Sequence, residues 1–156
     1  MRIQDYVIDE SRIAGHDAFK YAEAVPADKL TWTPEGARSV LSMCQELAIT
    51  PTWAVDTLKS NDQNYNEAGM QAQKKLLESW TTVAACKAEF EKRFQTWADH
   101  VKAMPDEDLA KTKWLPYDGG RDFTFLEMLA YIRWNSTYHL GQIAYIQTLY
   151  GDKEMH

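Results

Sequence analysis

The chain has 156 residues, 45% of them hydrophobic, and a formal net charge of −6. That length and apolar share suit one domain, residues 1–156, around one core. The acidic balance, with no basic block, argues against nucleic acid and anionic membrane surfaces as partners, because both are gripped through Lys and Arg.

Glycine and proline interrupt the chain in few places, and four long stretches between them carry helical periodicity. The first spans about Ile3–Ala24, with Tyr6, Ile13, Phe19 and Tyr21 among its apolar positions, and ends before Pro26. The second begins near Ala37, after Thr33-Pro34-Glu35-Gly36, and runs to about Lys59 with Ser39 as its candidate N-cap. Ser60–Gly69 reads as a polar surface crossover. The third helix covers about Gln71–Ala103, with Leu76, Leu77, Trp80, Val83, Phe90, Phe94 and Trp97 at helical spacing, and Met104-Pro105-Asp106-Glu107 stops it. Trp114–Asp122 reads as irregular, with a turn at Gly119-Gly120 and no strand pattern. Thr124 is the candidate cap of the fourth helix, which runs to about Tyr150 and ends at Gly151. These parts predict an all-α four-helix bundle with a long crossover between helices 2 and 3.

Cys44 and Cys86 fall inside helical patterns and read as buried free thiols, with no zinc-binding spacing. No apolar run approaches the roughly 18–20 residues that cross a bilayer. The opening MRIQDYVIDESR lacks the basic start and apolar centre of a signal peptide, so the expected location is the cytoplasm.

The fourth helix holds the chemistry. At ~100° per residue, Phe125, Met128, Ile132, Ile143 and Ile146 share one face, with Tyr131 and Leu149 at its edge. Asn135, His139 and Gln142 fall in the centre of that face, close enough in sequence to be neighbours. A buried polar group without a partner costs roughly 1–3 kcal/mol. The three side chains therefore predict hydrogen bonds to one another, to water, to another helix or to a ligand, or a satisfied core network around His139. On the opposite face, Ala130, Thr137, Gly141, Ala144 and Thr148 form a stripe of small residues. It suits ordinary packing, a thinly covered surface or a helix–helix homodimer contact.

Glu46 has Met43, Ile49, Thr50 and Trp53 as helical neighbours, which put it at the inner edge of the second helix, away from Gln45 and Asp56. An inward carboxylate needs a cation, a proton or hydrogen-bond donors, and His139 is the candidate partner. The alternative is a boundary glutamate whose head reaches water. Pro51 removes the amide that would bond the Leu47 carbonyl, so a kink or a break is expected beyond Glu46. At the C-terminus, Glu154 and His156 either fold back toward a pocket mouth or fray.

Three segments resemble the DinB/YfiT-like superfamily of four-helix bundles. They are Leu30-Thr-Trp-Thr-Pro-Glu-Gly-Ala-Arg-Ser-Val-Leu, then Glu46-Leu47-Ala48 where the family usually has His-Leu-Ala, and Asn135-Ser-Thr-Tyr-His-Leu-Gly-Gln-Ile. The last is the most specific, and with the helix layout the resemblance spans nearly the whole chain. It implies a divalent metal held by three histidines, and in some members transferase or isomerase activity with a low-molecular-weight thiol. By position the triad becomes Glu46, Asn135 and His139, of which only His139 is retained. Two readings follow. In one, Glu46 and His139 hold zinc, nickel or manganese, with Asn135 or water completing the shell of a divergent metal- or thiol-dependent transferase. In the other, favoured by the loss of two histidines, the pocket is metal-free and takes a small molecule. Glu46 and His139 then form an acid–base pair, and Asn135 and Gln142 supply further polar groups. A non-catalytic dimeric interaction protein is the third reading.

Overall fold

The computed structural model describes residues 1–59 and 67–156. Of the expected crossover, residues 60–66 lie outside the described residues, and the segment from Glu67 is already helical. Five α-helices are described: α1 (Ile3–Glu23), α2 (Val40–Lys59), α3 (Glu67–Glu78), α4 (Val83–Ala103) and α5 (Phe125–Leu149). A two-stranded antiparallel hairpin, β1 (Thr112–Leu115) and β2 (Arg121–Thr124), precedes α5.

The four long helices form the bundle. α1 packs on α4 and α5, and α2 packs on the same two helices, so α4 and α5 each lie between α1 and α2. The expected four-helix bundle with a long link between its second and third members is present, and α3 rides on that link. No residue of α3 is buried. No described helix is long and apolar enough to cross a membrane.

Local chemistry explains the boundaries. Ser39 caps α2 by accepting the Ser42 amide at 3.2 Å, and α2 then runs through Pro51 without a break. The expected single third helix is two helices instead. Ser79 and Trp80 close α3 with amides that donate to the Leu76 and Leu77 carbonyls, and the Ser79 hydroxyl donates to Leu76 O at 2.6 Å. Thr82 then opens α4 as an N-cap, accepting the Ala85 amide at 3.1 Å. Trp80 sits in the break, buried, with its carbonyl accepting from Gln45 at 3.0 Å. Gln45, half-buried, thus reaches across from α2 to the break before α4.

The segment expected to be irregular is the hairpin. Thr112 pairs with Thr124 and Leu115 with Arg121. Its turn runs through left-handed backbone at Asp118 (φ 53°), Gly119 (φ 82°) and Gly120 (φ 85°). A Cβ on Gly120 would also lie 2.7 Å from the Trp114 indole, so glycine is required there twice over. Thr124 ends the hairpin and starts α5 with a capping box. Its hydroxyl accepts the Glu127 amide at 3.1 Å, and the Glu127 carboxylate accepts the Thr124 amide at 2.7 Å. Gly151, at φ 100°, follows the end of the helix.

A cluster of aromatic rings joins α1 and α4. Phe19, Phe90, Phe94 and Trp97 meet ring to ring, with centroids 5.3, 5.5 and 5.0 Å apart in that order. Gly15 lets α1 approach, because a Cβ there would stand 2.4 Å from Phe90 Cζ. Tyr6 and Ile13, expected on the apolar face of this helix, are 47% and 57% exposed. The buried face is Val7, Ile8, Ala18, Phe19 and Ala22, together with Gln4, Ser11 and Gly15. Cys44 and Cys86 are buried free thiols, and burial pushes both up, Cys86 to about 11.

Candidate functional site

The polar site lies where α2 faces α5. Asn135 and His139 are each 1% exposed, in the middle of the apolar face of α5. Buried in this way, both need partners, and α2 provides them. His139 Nε2 stands 3.1 Å from Oε1 of Glu46. Asn135 Nδ2 donates to the Thr50 hydroxyl at 3.0 Å, and that hydroxyl donates in turn to the Glu46 backbone carbonyl at 2.8 Å. Asn135 therefore reaches Glu46 through Thr50 rather than directly. Thr50 uses a helical i to i−4 bond one residue before Pro51, in a stretch where the proline has already removed an amide donor.

His139 has a second contact. Its Nδ1 lies 2.7 Å from Oε1 of Gln142, one turn further along α5. The ring thus sits between two oxygens. A proton on Nδ1 satisfies Gln142 and leaves Nε2 facing a carboxylate. A proton on Nε2 faces the carboxylate instead and is compatible with Gln142 when its amide is turned to offer the NH2 group. Nε2 is fully buried, and its oxygen neighbour is the Glu46 carboxylate.

Glu46 is held from the other side as well. The Arg38 guanidinium pairs with its Oε2 and also donates to Ser42 O at 3.1 Å. The Glu46 carboxyl is drawn down to about 2, chiefly by His139 and further by Arg38, against the opposing effect of burial. Arg38 has no signal in the sequence: it lies eight residues before Glu46, outside α2, and helical periodicity does not connect the two.

Beyond Glu46 a cavity of about 680 Å³ opens between α2, α5 and the hairpin, with Gln73 of α3 at its edge. Glu46 and Thr50 line it, whereas His139, Asn135 and Gln142 stand behind them. Its walls are aromatic. Trp53 packs on Tyr131 at 4.8 Å and meets Tyr117 edge-on at 6.0 Å. Tyr131 stacks on Trp134 at 5.5 Å, and Trp134 on Tyr138 at 5.4 Å with ring planes 6° apart. The hairpin contributes Tyr117, Asp118, Arg121 and Phe123, none of which sequence reasoning singled out. The turn signal Asp118-Gly119-Gly120 was visible, but the strands beside it are only four residues long.

Of the small-residue stripe on α5, Thr137, Gly141 and Thr148 are exposed, and Ala130 and Ala144 are half-buried. Nothing lies within 4 Å of a Cβ built on Gly141. The chain's last residues fold back: His156 Nε2 lies 2.9 Å from Asp152 Oδ2, and its ring meets Tyr21 edge-on at 5.6 Å. They contact α1, and neither Glu154 nor His156 lines the cavity.

The donor set does not match a three-histidine metal centre. No group of three His, Cys, Asp or Glu side chains able to hold a metal converges among the described residues. One oxygen of Glu46 faces His139 and the other carries a guanidinium, and the Asn135 amide nitrogen is directed at Thr50.

A search of curated proteins finds no match. Solved structures do match. YfiT from Bacillus subtilis, described as a probable metal-dependent hydrolase with an unusual four-helix bundle topology, has a TM-score of 0.74 at 15% identity, covering 95% of this chain and 87% of its own. A conserved protein from Enterococcus faecalis has a TM-score of 0.70 at 11% identity, covering 96% and 97%. The colibactin self-resistance protein ClbS, solved in complex with double-stranded DNA, has a TM-score of 0.66 at 14% identity, covering 93% and 95%. At these identities the likeness is one of fold. The sequence profile of the DinB superfamily matches residues 12–143, from α1 to the polar stripe of α5, and the chain belongs to that superfamily.

Proposed function

We propose that this chain binds a small organic molecule in the cavity between α2, α5 and the hairpin, with Glu46 as the anionic contact on its floor, and that the Arg38–Glu46–His139 network stands in place of the family's metal site. The observation that carries this reading is the position of Glu46. Its carboxylate lines the cavity while a buried imidazole and a guanidinium hold it from behind.

The electrostatics favour binding over proton abstraction. A general base works best with a pKa near the operating pH. Glu46, held at about 2, is a weak base and a permanent anion at neutral pH. It suits an acceptor or counter-charge for a ligand better than one half of an acid–base pair. Metal binding would require a divalent ion to compete with the Arg38 guanidinium and to find further donors beyond one imidazole. The net charge of −6 works against a phosphate backbone as the partner. The DNA in the ClbS structure is a property of that protein.

A divergent metal-dependent enzyme is the competing reading, and it is motivated by the description of YfiT. Elemental analysis separates the two. Protein purified without a metal-binding tag, before and after incubation with zinc, nickel or manganese, is expected to hold far less than one ion per chain. Stoichiometric metal that disappears in His139→Ala would overturn the metal-free reading. A fragment screen by ligand-observed NMR tests the cavity. Hits should weaken in both Glu46→Gln and Trp134→Ala, and hits indifferent to both would place the binding elsewhere.

A further inference from the structure

We infer that the molecule this cavity takes is an organic cation, an amine or quaternary ammonium group on an apolar body. The inference rests on the proposed reading of the cavity as the ligand site and names the class of ligand. Two independent features of the walls support it.

The first is the rings. Trp53, Tyr117, Phe123, Tyr131 and Trp134 all line the space. Ring faces attract a desolvated cation through their quadrupole, and they attract neutral or anionic groups much less. The hairpin already makes this contact internally, since the Arg121 guanidinium lies 3.6 Å from the centroid of the Phe123 ring.

The second is the charge. The lining residues carry three carboxylates, Glu46, Asp118 and Glu127, against one guanidinium, Arg121. Arg121 is committed to Glu127 at 3.0 Å. The nearby Lys113 ammonium is turned away, donating to the Thr57 carbonyl on α2. Arg38 offsets part of the Glu46 charge from outside the cavity. Asp118 has no ion pair among the described residues, and its exposed position on the hairpin turn leaves the carboxylate open to a ligand. An anionic ligand would meet these carboxylates with no uncommitted cation among the described lining residues. A neutral one would gain the apolar contact alone.

Three probes with the same benzyl body separate the cases: benzyltrimethylammonium, benzyl alcohol and phenylacetate, titrated by ligand-observed NMR at fixed ionic strength. The cation should bind at least about tenfold more tightly than the alcohol, and phenylacetate should bind most weakly. Asp118→Asn keeps a residue that tolerates left-handed backbone. It should weaken the cation several-fold and leave the alcohol unchanged, while Trp134→Ala should weaken both. Circular dichroism checks that each variant is folded. If all three probes bind alike and Trp134→Ala weakens them alike, the cavity stands as a ligand site and the cation inference falls. If no probe binds, or binding ignores both substitutions, both readings fall.

Discussion

Two of the places where aromatic side chains meet in this bundle put them to different work. Between α1 and α4, Phe19, Phe90, Phe94 and Trp97 are buried and pack ring on ring, with α1 brought close by a glycine. Between α2, α5 and the hairpin, Trp53, Tyr117, Tyr131 and Trp134 stand around a cavity, half-buried or exposed, beside a carboxylate with buried polar support. Rings that fill space contribute dispersion and area burial. Rings that surround space leave those contacts to a ligand. The comparison teaches that aromatic content alone separates a core from a site poorly. The nearby polar groups and the space left between the rings separate them well.

The largest effect should come from the filled region. Phe90→Ala removes a side chain that is 1% exposed and contacts both Phe19 and Phe94. Loss of a buried phenylalanine costs about 3–5 kcal/mol, and urea unfolding should show a loss in that range. A cost under about 1 kcal/mol would mean that this region is as loosely filled as the cavity side. Gly15→Ala is the next largest. Alanine favours a helix by about 1 kcal/mol over glycine. The new methyl would collide with Phe90, which the neighbouring rings hold in place. Overpacking typically costs about 1–3 kcal/mol, so the variant should be destabilised on balance. A net gain in stability would show that Phe90 can move.

The site region should reveal itself through pH. The Glu46 carboxyl drops from an ordinary 4.5 to about 2 in the folded chain, so its contribution is complete above about pH 5 and is lost as the pH falls through the folded value. With the side chain 32% exposed, solvent screening limits that contribution to about 1–2 kcal/mol. Asp106, Glu127 and Asp152 are also lowered, so the wild-type acid profile mixes several groups. The difference between wild type and Glu46→Gln isolates the one of interest: the stability gap between them should narrow as the pH drops from 6 toward 2.5. A gap that stays constant would mean that Glu46 is unpaired in solution.

How much of this was legible beforehand depended on the kind of signal. The α5 stripe could be read because a helix imposes a fixed period, and Asn135, His139 and Gln142 interrupt an apolar face at that period. Glu46 could be placed at the inner edge of α2 for the same reason, and an inward carboxylate's need for a partner pointed to His139. Arg38, Tyr117, Asp118 and Phe123 lie on loops or on strands four residues long, where no period operates and tertiary placement decides. The break at Ser79–Thr82 was hidden because Leu76, Leu77, Trp80 and Val83 continue a helical spacing across it. Capping by Thr82 and the insertion of Trp80 outweigh that pattern. On α1 the periodicity was present, but Tyr6 and Ile13 drew attention to the wrong face. The buried face holds Gln4, Ser11 and Gly15, which hydrophobicity alone does not mark.

The smallest effect on stability should separate the two regions most sharply. Trp134 is 57% exposed and stacks only between Tyr131 and Tyr138 among the rings of the cavity side. Surface substitutions away from caps and buried networks usually change stability by less than about 0.5 kcal/mol. Trp134→Ala should therefore unfold at nearly the wild-type urea concentration, while Phe90→Ala does not. The same substitution removes one wall of the cavity, so it should weaken whatever binds there far more than it weakens the fold. If Trp134→Ala instead cost as much stability as a core phenylalanine, the ring stack on α5 would be part of the packed core. The distinction between filled and open aromatic regions would then fail on the side where the site was placed.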